Sequence, residues 1–191
     1  MAKALALQAQ LNAQYGRSVI DVTLDCEDGA SAGGERDHAQ MVCAMALEHF
    51  QATGLKAAVR LHPVTHPAFE SEVAIFAPAF ASLAHVMLPK VESANDVAVA
   101  SSALPDDLPL HALIESAFAV SQAHAIAAHP RIASLSFGLM DFVSSHGGAI
   151  PAQAMTLHPQ LGQMVTLWSC KPSWLSVPLA TRTAKYPRIA L

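Results

Sequence analysis

The sequence predicts an α/β fold built on a parallel sheet, and three observations carry that expectation. Short apolar, β-branched runs alternate with Ala-rich stretches of helical period from residue 19 to about 142. The runs are continuously hydrophobic, as in strands covered by helices on both faces. Each run also ends in residues able to do chemistry.

The elements follow in order. Residues 1–16, MAKALALQAQLNAQYG, form a polar helical segment. VIDVTLDCE is the first strand and RDHAQMVCAMALEHFQATG the first long helix. LKAAVRLHP is the second strand, followed by a helix ending near Leu83. HVMLPKV, a helical ANDVAVASSAL, LPLHALIES, a helical SQAHAIAAH and IASLSFGLMD complete five strands. Either a TIM barrel or an open doubly wound sheet has this rhythm. No phosphate loop or GxGxxG sequence favours the open sheet.

With 52% hydrophobic and 14% charged residues, the 191-residue chain must bury a large core, which excludes a disordered segment. A net charge of −4 with 11 scattered basic residues offers no cationic stripe, so neither nucleic acid nor an anionic membrane is an expected partner. Cys26, Cys43 and Cys170 show no CxxC or Cys/His metal spacing, and the expected compartment is a reducing cytoplasm. The amino end lacks an apolar leader core and no apolar run reaches membrane-spanning length, so the expectation is a soluble, unexported protein.

In a parallel α/β fold the carboxyl ends of the strands share one face. Asp25, Glu27 and Asp28 follow the first strand, Arg60 and His62 the second, Lys90 and Glu92 the third, Glu115 the fourth and Asp141 the fifth. One polar strand end needs only water to explain it, whereas five in succession point to a site. Glu115 and Asp141 close adjacent strands, where they can hold a hard divalent cation such as Mg2+. The alternative is a structural ion pair of Glu115 with Arg60 or Lys90. Arg60 follows a buried strand and calls for an anion, such as a substrate carboxylate. Asp28 and Glu27 reach the same space. Lys90 reads as support for the acidic groups and not as a Schiff-base lysine, because Glu92 is near it in sequence. The ten histidines form no HxH or HExxH pair and read as surface or interface residues. His62 is the exception, a hydrogen-bonding support beside Arg60. The Met and Phe residues read as core, and Gly147-Gly148 as a turn passing close to the site.

At VIDVTLDCEDGA, AAVRLHP, HVMLPKVESANDV, ALIESAFAV and LSFGLMDF the chain resembles the citrate lyase β-subunit-like, HpcH/HpaI aldolase family, over roughly residues 17–150. The resemblance implies a (β/α)8 TIM barrel that uses Mg2+ to make or break a carbon–carbon bond beside an acyl-CoA thioester, such as citryl-CoA or malyl-CoA. It also implies a homo-oligomer, a trimer or hexamer. By motif, the metal carboxylates fall on Glu115 and Asp141, the substrate-orienting arginine on Arg60, and the acidic catalytic residue of LDxED on Asp28. The wider superfamily includes metal-dependent aldolases that release pyruvate. Two departures bear on the substrate: His62 stands where Asn is usual, and Phe118 and Ala119 replace an Arg-Gly pair after the metal-binding glutamate. They count against a standard acyl-CoA pocket and keep a short keto acid open.

Five strands do not close an eight-stranded barrel. The expected organisation is therefore the helical segment 1–16, a partial barrel at 17–150 and an atypical tail at 151–191. Residues 165–191 carry two Trp, three Pro and no acidic residue. Two readings stand for them: a frame-shifted continuation, since shifted codons from Cys170 onward are able to encode an amphipathic helix ending in glycine, or a natural but divergent short tail. Two functions follow: a Mg2+-dependent lyase whose further strands are dispensable or supplied by a partner chain, or a truncated barrel with residual metal and keto-acid binding.

Overall fold

The computed structural model describes residues 1–145. The atypical tail, the Gly147-Gly148 turn and Cys170 lie outside the described residues. Five strands, β1 (Thr23–Asp25), β2 (Ala57–Arg60), β3 (Leu83–Leu88), β4 (Leu110–Ile114) and β5 (Ile132–Phe137), form one sheet. All pairs are parallel and the order is β1-β2-β3-β4-β5. A doubly wound sheet reverses its order at a switch point; an unbroken order of right-handed crossovers keeps every helix on one side, as in a barrel. The strand order thus resolves what periodicity left open.

The helices are α1 (Ala2–Tyr15), α2 (Glu35–Thr53), α3 (Phe69–Phe76), α4 (Ala94–Ala103), α5 (Ala117–Ala128) and α6 (Leu139–Ser145). The helix expected to run to Leu83 stops at Phe76 and continues as a 3-10 segment, Ala77–Ser82, because Pro78 has no N–H for the α-helical ladder. Gly16 and Gly54 end α1 and α2 in left-handed conformations, with φ of 64° and 70°. Ser93 and Asp96 form a capping box on α4. The α1 helix buries only Leu5 and Gln8. The Gln8 amide donates to the Ile20 and Lys56 carbonyls, which fastens α1 beneath the amino ends of β1 and β2.

The core lies between the helices and one face of the sheet. Leu24, Val59, Val86, Leu88, Leu110, Ala112 and Ile114 meet Val42, Phe76, Val97, Ala100, Ala123 and Ile126 there, all essentially inaccessible. The opposite, inward face is only half-buried. Asp25, Arg60, Met87, His111 and Ser134 pair in register across all five strands and belong to it. The strands therefore have one apolar and one mixed face, unlike the doubly apolar strands expected; their continuous hydrophobicity comes from small or aliphatic residues such as Ala58 and Leu113 on the inward side.

Several histidines also depart from expectation. His49 is buried with its Nε2 against the Gln8 Oε1 at 2.9 Å. His85 and His111 lie on the inward face with ring centroids 4.4 Å apart. Burial pushes both imidazoles down, His111 to about 4 with His85 adding to the effect. Cys26 and Cys43 are free and buried. No helix among the described residues is long and apolar enough to cross a membrane.

Candidate active site at the carboxyl end of the sheet

Arg60 is the last residue of β2, in register with Asp25, the last residue of β1. That register makes a two-pronged pair: Nε donates to Asp25 Oδ1 at 2.8 Å and one terminal nitrogen to Asp25 Oδ2 at 2.6 Å. The same nitrogen donates to Asp28 Oδ2 at 2.6 Å, and the other lies 2.9 Å from Glu27 Oε2. The guanidinium thus meets its anions within the chain, from three carboxylates of the LDxED segment. Hydrogen bonding to Asp25 holds Arg60 firmly protonated against the opposing effect of burial. Burial pushes the Asp25 carboxyl up, but its hydrogen bonds from Arg60 and the arginine charge outweigh this and hold it below the usual range. Gly29 allows the loop to fold close: a Cβ there would lie 2.8 Å from the Asp25 carbonyl and from His38 Nε2.

The second half of the site joins Lys90, Glu115 and Asp141. Lys90 Nζ binds Glu27 Oε1 at 2.6 Å, and that contact raises its pKa against the effect of burial. Glu27 thereby links the lysine to Arg60. The Lys90 backbone takes a left-handed conformation, φ 50°, which is costly for a residue with a side chain. Its N–H donates to Glu115 Oε2 at 2.8 Å. Glu115 therefore accepts from the Lys90 backbone, with no salt bridge to Arg60 or Lys90 within 4 Å. It is buried at the end of β4; burial, with the Asp141 and Glu27 charges, pushes its carboxyl up to about 7.

Asp141 is placed differently from the expected strand end. The chain leaves β5 at Phe137, turns at Gly138 and enters α6, so Asp141 lies in the first helical turn. Its charge still acts on Glu115. Gly138 presses against that glutamate, for a Cβ there would lie 2.5 Å from Glu115 Oε1. The donor set suits a hard cation: two carboxylates, one buried and raised by the other's charge, leave positions for water and ligand oxygens. Among the described residues no group of three or more His, Cys, Asp or Glu side chains forms a fuller metal cage.

Glu72, which sequence reasoning passed over, is completely buried on α3. It accepts from the His62 N–H at 2.8 Å and contacts His62 Nδ1 at 2.5 Å. His62 is thus tied to α3, and its ring stacks on His66. The available signal was the second of two glutamates in FESEVAIF, Glu72, which directly precedes the apolar run Val73–Phe76. Glu92, expected beside Lys90, instead accepts from the Ser116 hydroxyl, whose oxygen caps α5 at Ala119. Phe118, in the first turn of α5, is 60% exposed.

The model of the family described as HpcH/HpaI aldolase/citrate lyase matches residues 6–157. A (3S)-malyl-CoA thioesterase of Cereibacter sphaeroides is 30% identical over 152 residues, 80% of this chain and 52% of the relative. A citrate lyase structure from Burkholderia xenovorans superposes with a TM-score of 0.72 at 33% identity, covering 87% of this chain and 56% of that one. A citrate lyase β subunit from Mycobacterium tuberculosis, complexed with oxaloacetate and magnesium, shares the fold with a TM-score of 0.60 at 22% identity, over 85% and 70% of the two chains. The chain spans about half the length of the curated relatives it matches. With five parallel βα units in sequential order and the family match over most of its length, the chain belongs to the HpcH/HpaI aldolase/citrate lyase family.

Proposed function

We propose that this chain carries the metal- and keto-acid-binding part of a Mg2+-dependent carbon–carbon lyase acting on a hydroxy-acyl-CoA such as citryl-CoA or malyl-CoA. The observation that carries the proposal is the buried Glu115 carboxyl, close enough to Asp141 to feel its charge and hydrogen-bonded to Lys90, which ties it to the Arg60 cluster at the carboxyl end of the sheet. The oxaloacetate and magnesium bound by the mycobacterial relative support it.

Glu115 and Asp141 are the residues that would hold Mg2+. When bound, the cation supplies Lewis-acid polarisation of a keto-acid oxygen. Arg60, held by Asp25, orients the carboxylate end of the substrate and offsets its charge, while Asp28 completes the acidic cluster beside it. In the cleavage direction a base takes the hydroxyl proton, the carbon–carbon bond breaks to leave a keto acid, and the acyl-CoA carbon departs as an enolate that is then protonated. Lys90 positions the acidic groups through Glu27 and through its backbone. A homo-oligomer in a reducing cytoplasm is the proposed setting, without nucleic-acid or membrane partners.

A second reading has its own observation. Phe118, 60% exposed in the first turn of α5, stands where the resemblance expects an arginine, which favours a short keto acid released by an aldolase over a CoA thioester. The same site without turnover is the third state of this proposal, a truncated barrel retaining metal and keto-acid binding. Calorimetric titration of Mg2+, with and without oxaloacetate or pyruvate, tests the site in the unmodified chain, Glu115→Ala and Asp141→Ala. Saturable binding that strengthens with the keto acid and vanishes in both variants is expected; binding unchanged in both would overturn the assignment. Product analysis with malyl-CoA then separates the chemistries, since glyoxylate and acetyl-CoA report carbon–carbon cleavage, and malate with free CoA reports the thioester hydrolysis for which the curated relatives are named.

A further inference from the structure

We infer that Asp28 is an exchangeable counter-ion holding the place of a ligand carboxylate on Arg60, so that carboxylate ligands bind by displacing its side chain. The inference rests on the proposed keto-acid site and specifies how that site admits its ligand.

The three carboxylates around Arg60 are not equivalent. Asp25 is held in register, binds through both oxygens and also accepts the Glu27 N–H at 3.0 Å. The Glu27 side chain is only 6% exposed and is shared between Arg60 and Lys90. Glu27 cannot leave without stranding a charge away from water, and Asp25 cannot leave without breaking both prongs of its pair and its backbone hydrogen bond. Asp28 makes one contact, through one oxygen, and its side chain is 70% exposed. Water can take over its solvation as it leaves.

Charge points the same way. Asp25, Glu27 and Asp28 face Arg60 and Lys90, which leaves one negative charge in surplus at the place an anion must enter. Removal of Asp28 from contact brings the cluster to balance and frees one N–H of the guanidinium for the incoming carboxylate. The backbone does not need to move: the tight packing of Gly29 against Asp25 and His38 anchors the loop, so rotation of the Asp28 side chain suffices. An exposed ion pair of this kind is worth a factor of a few in an equilibrium, which a two-pronged ligand carboxylate readily exceeds.

The test is calorimetric titration of oxaloacetate, and of acetate as the minimal carboxylate, in the presence of Mg2+, comparing the unmodified chain with Asp28→Asn and Asp28→Ser. Both variants are expected to bind the two carboxylates roughly three- to tenfold more tightly. Binding that emerges only in the variants carries the same meaning. The neutral amide pyruvamide is expected to gain nothing, which a general loosening of the loop would not reproduce. Equal or weaker carboxylate binding in both variants, or none in any of the three proteins, overturns the inference. Mg2+ titrations of the same preparations keep the two ideas apart: loss of cation binding with the Asp28 effect intact refutes the proposed function alone, and cation binding without the Asp28 effect refutes the counter-ion alone.

Discussion

Glu115 shows most directly what one residue's surroundings do to its chemistry. With its carboxyl raised to about 7, chiefly by burial, a proton and a cation compete for it near neutrality. Mg2+ affinity is expected to rise by up to about tenfold per pH unit below pH 7 and to level off above it, as read by calorimetry at fixed ionic strength. A flat profile from pH 5.5 to 8 would show that this carboxyl is not a ligand. The same residue acts on stability. The folded chain keeps a proton on Glu115 that the unfolded chain, near 4.5, has released, so stability present below 4.5 is lost as pH rises to 7. His111 works oppositely: depressed to about 4 from an ordinary 6.5, it contributes stability above 6.5 that is lost as pH falls towards 4. Each effect is at most on the order of 3 kcal/mol, and partial exposure of His111 reduces its share. Glu115→Gln should therefore make urea stability climb with pH between 4 and 6.5, and His111→Leu should make it fall between 4.5 and 7. Variants with the unmodified profile would contradict both assignments.

Among the elements, the β2–α3 and β5–α6 junctions hold what the sequence concealed. Glu72 joins α3 to the end of β2 by accepting from His62. Its replacement by Ala should cost about 3 kcal/mol in urea unfolding, because the His62 N–H is left buried without a partner. A loss below about 1 kcal/mol would mean that water reaches the pair. Gly138 gives Glu115 its room. Gly138→Ala should weaken Mg2+ binding by at least about tenfold while preserving every charge, since the added methyl must displace the carboxylate; unchanged affinity would place the cation elsewhere. Strand ends were legible as a site because charged residues repeatedly close apolar runs. The two junction residues were not, because Glu72 resembles a helix-surface glutamate and Gly138 a turn until packing shows what each touches.

For the molecule as a whole, the sheet is better paired at its centre than at its margins. Strands β2, β3 and β4 each have neighbours on both sides, while β1 and β5 each pair with one strand among the described residues. Native-state hydrogen exchange should therefore show greatest protection at Val59, Val86 and Ala112, with earlier opening at β1 and β5. Equal protection across the five strands would show that both edges are covered in solution.

The linear pattern of residues determined the α/β class, the five strands and the order of the elements as far as β5, and the identity of Arg60, Asp28, Glu115 and Asp141 as candidates, because strand and helix periods and polar strand ends are local properties. Tertiary structure alone decided the sequential strand order, the mixed inward face, and the saturation of Arg60 by three carboxylates. It also moved Asp141 from a strand end into a helix and set the raised proton affinity of Glu115. These depend on register, burial and charges brought together from residues as far apart in the chain as Glu27 and Glu115, and none of those quantities is present in the local sequence.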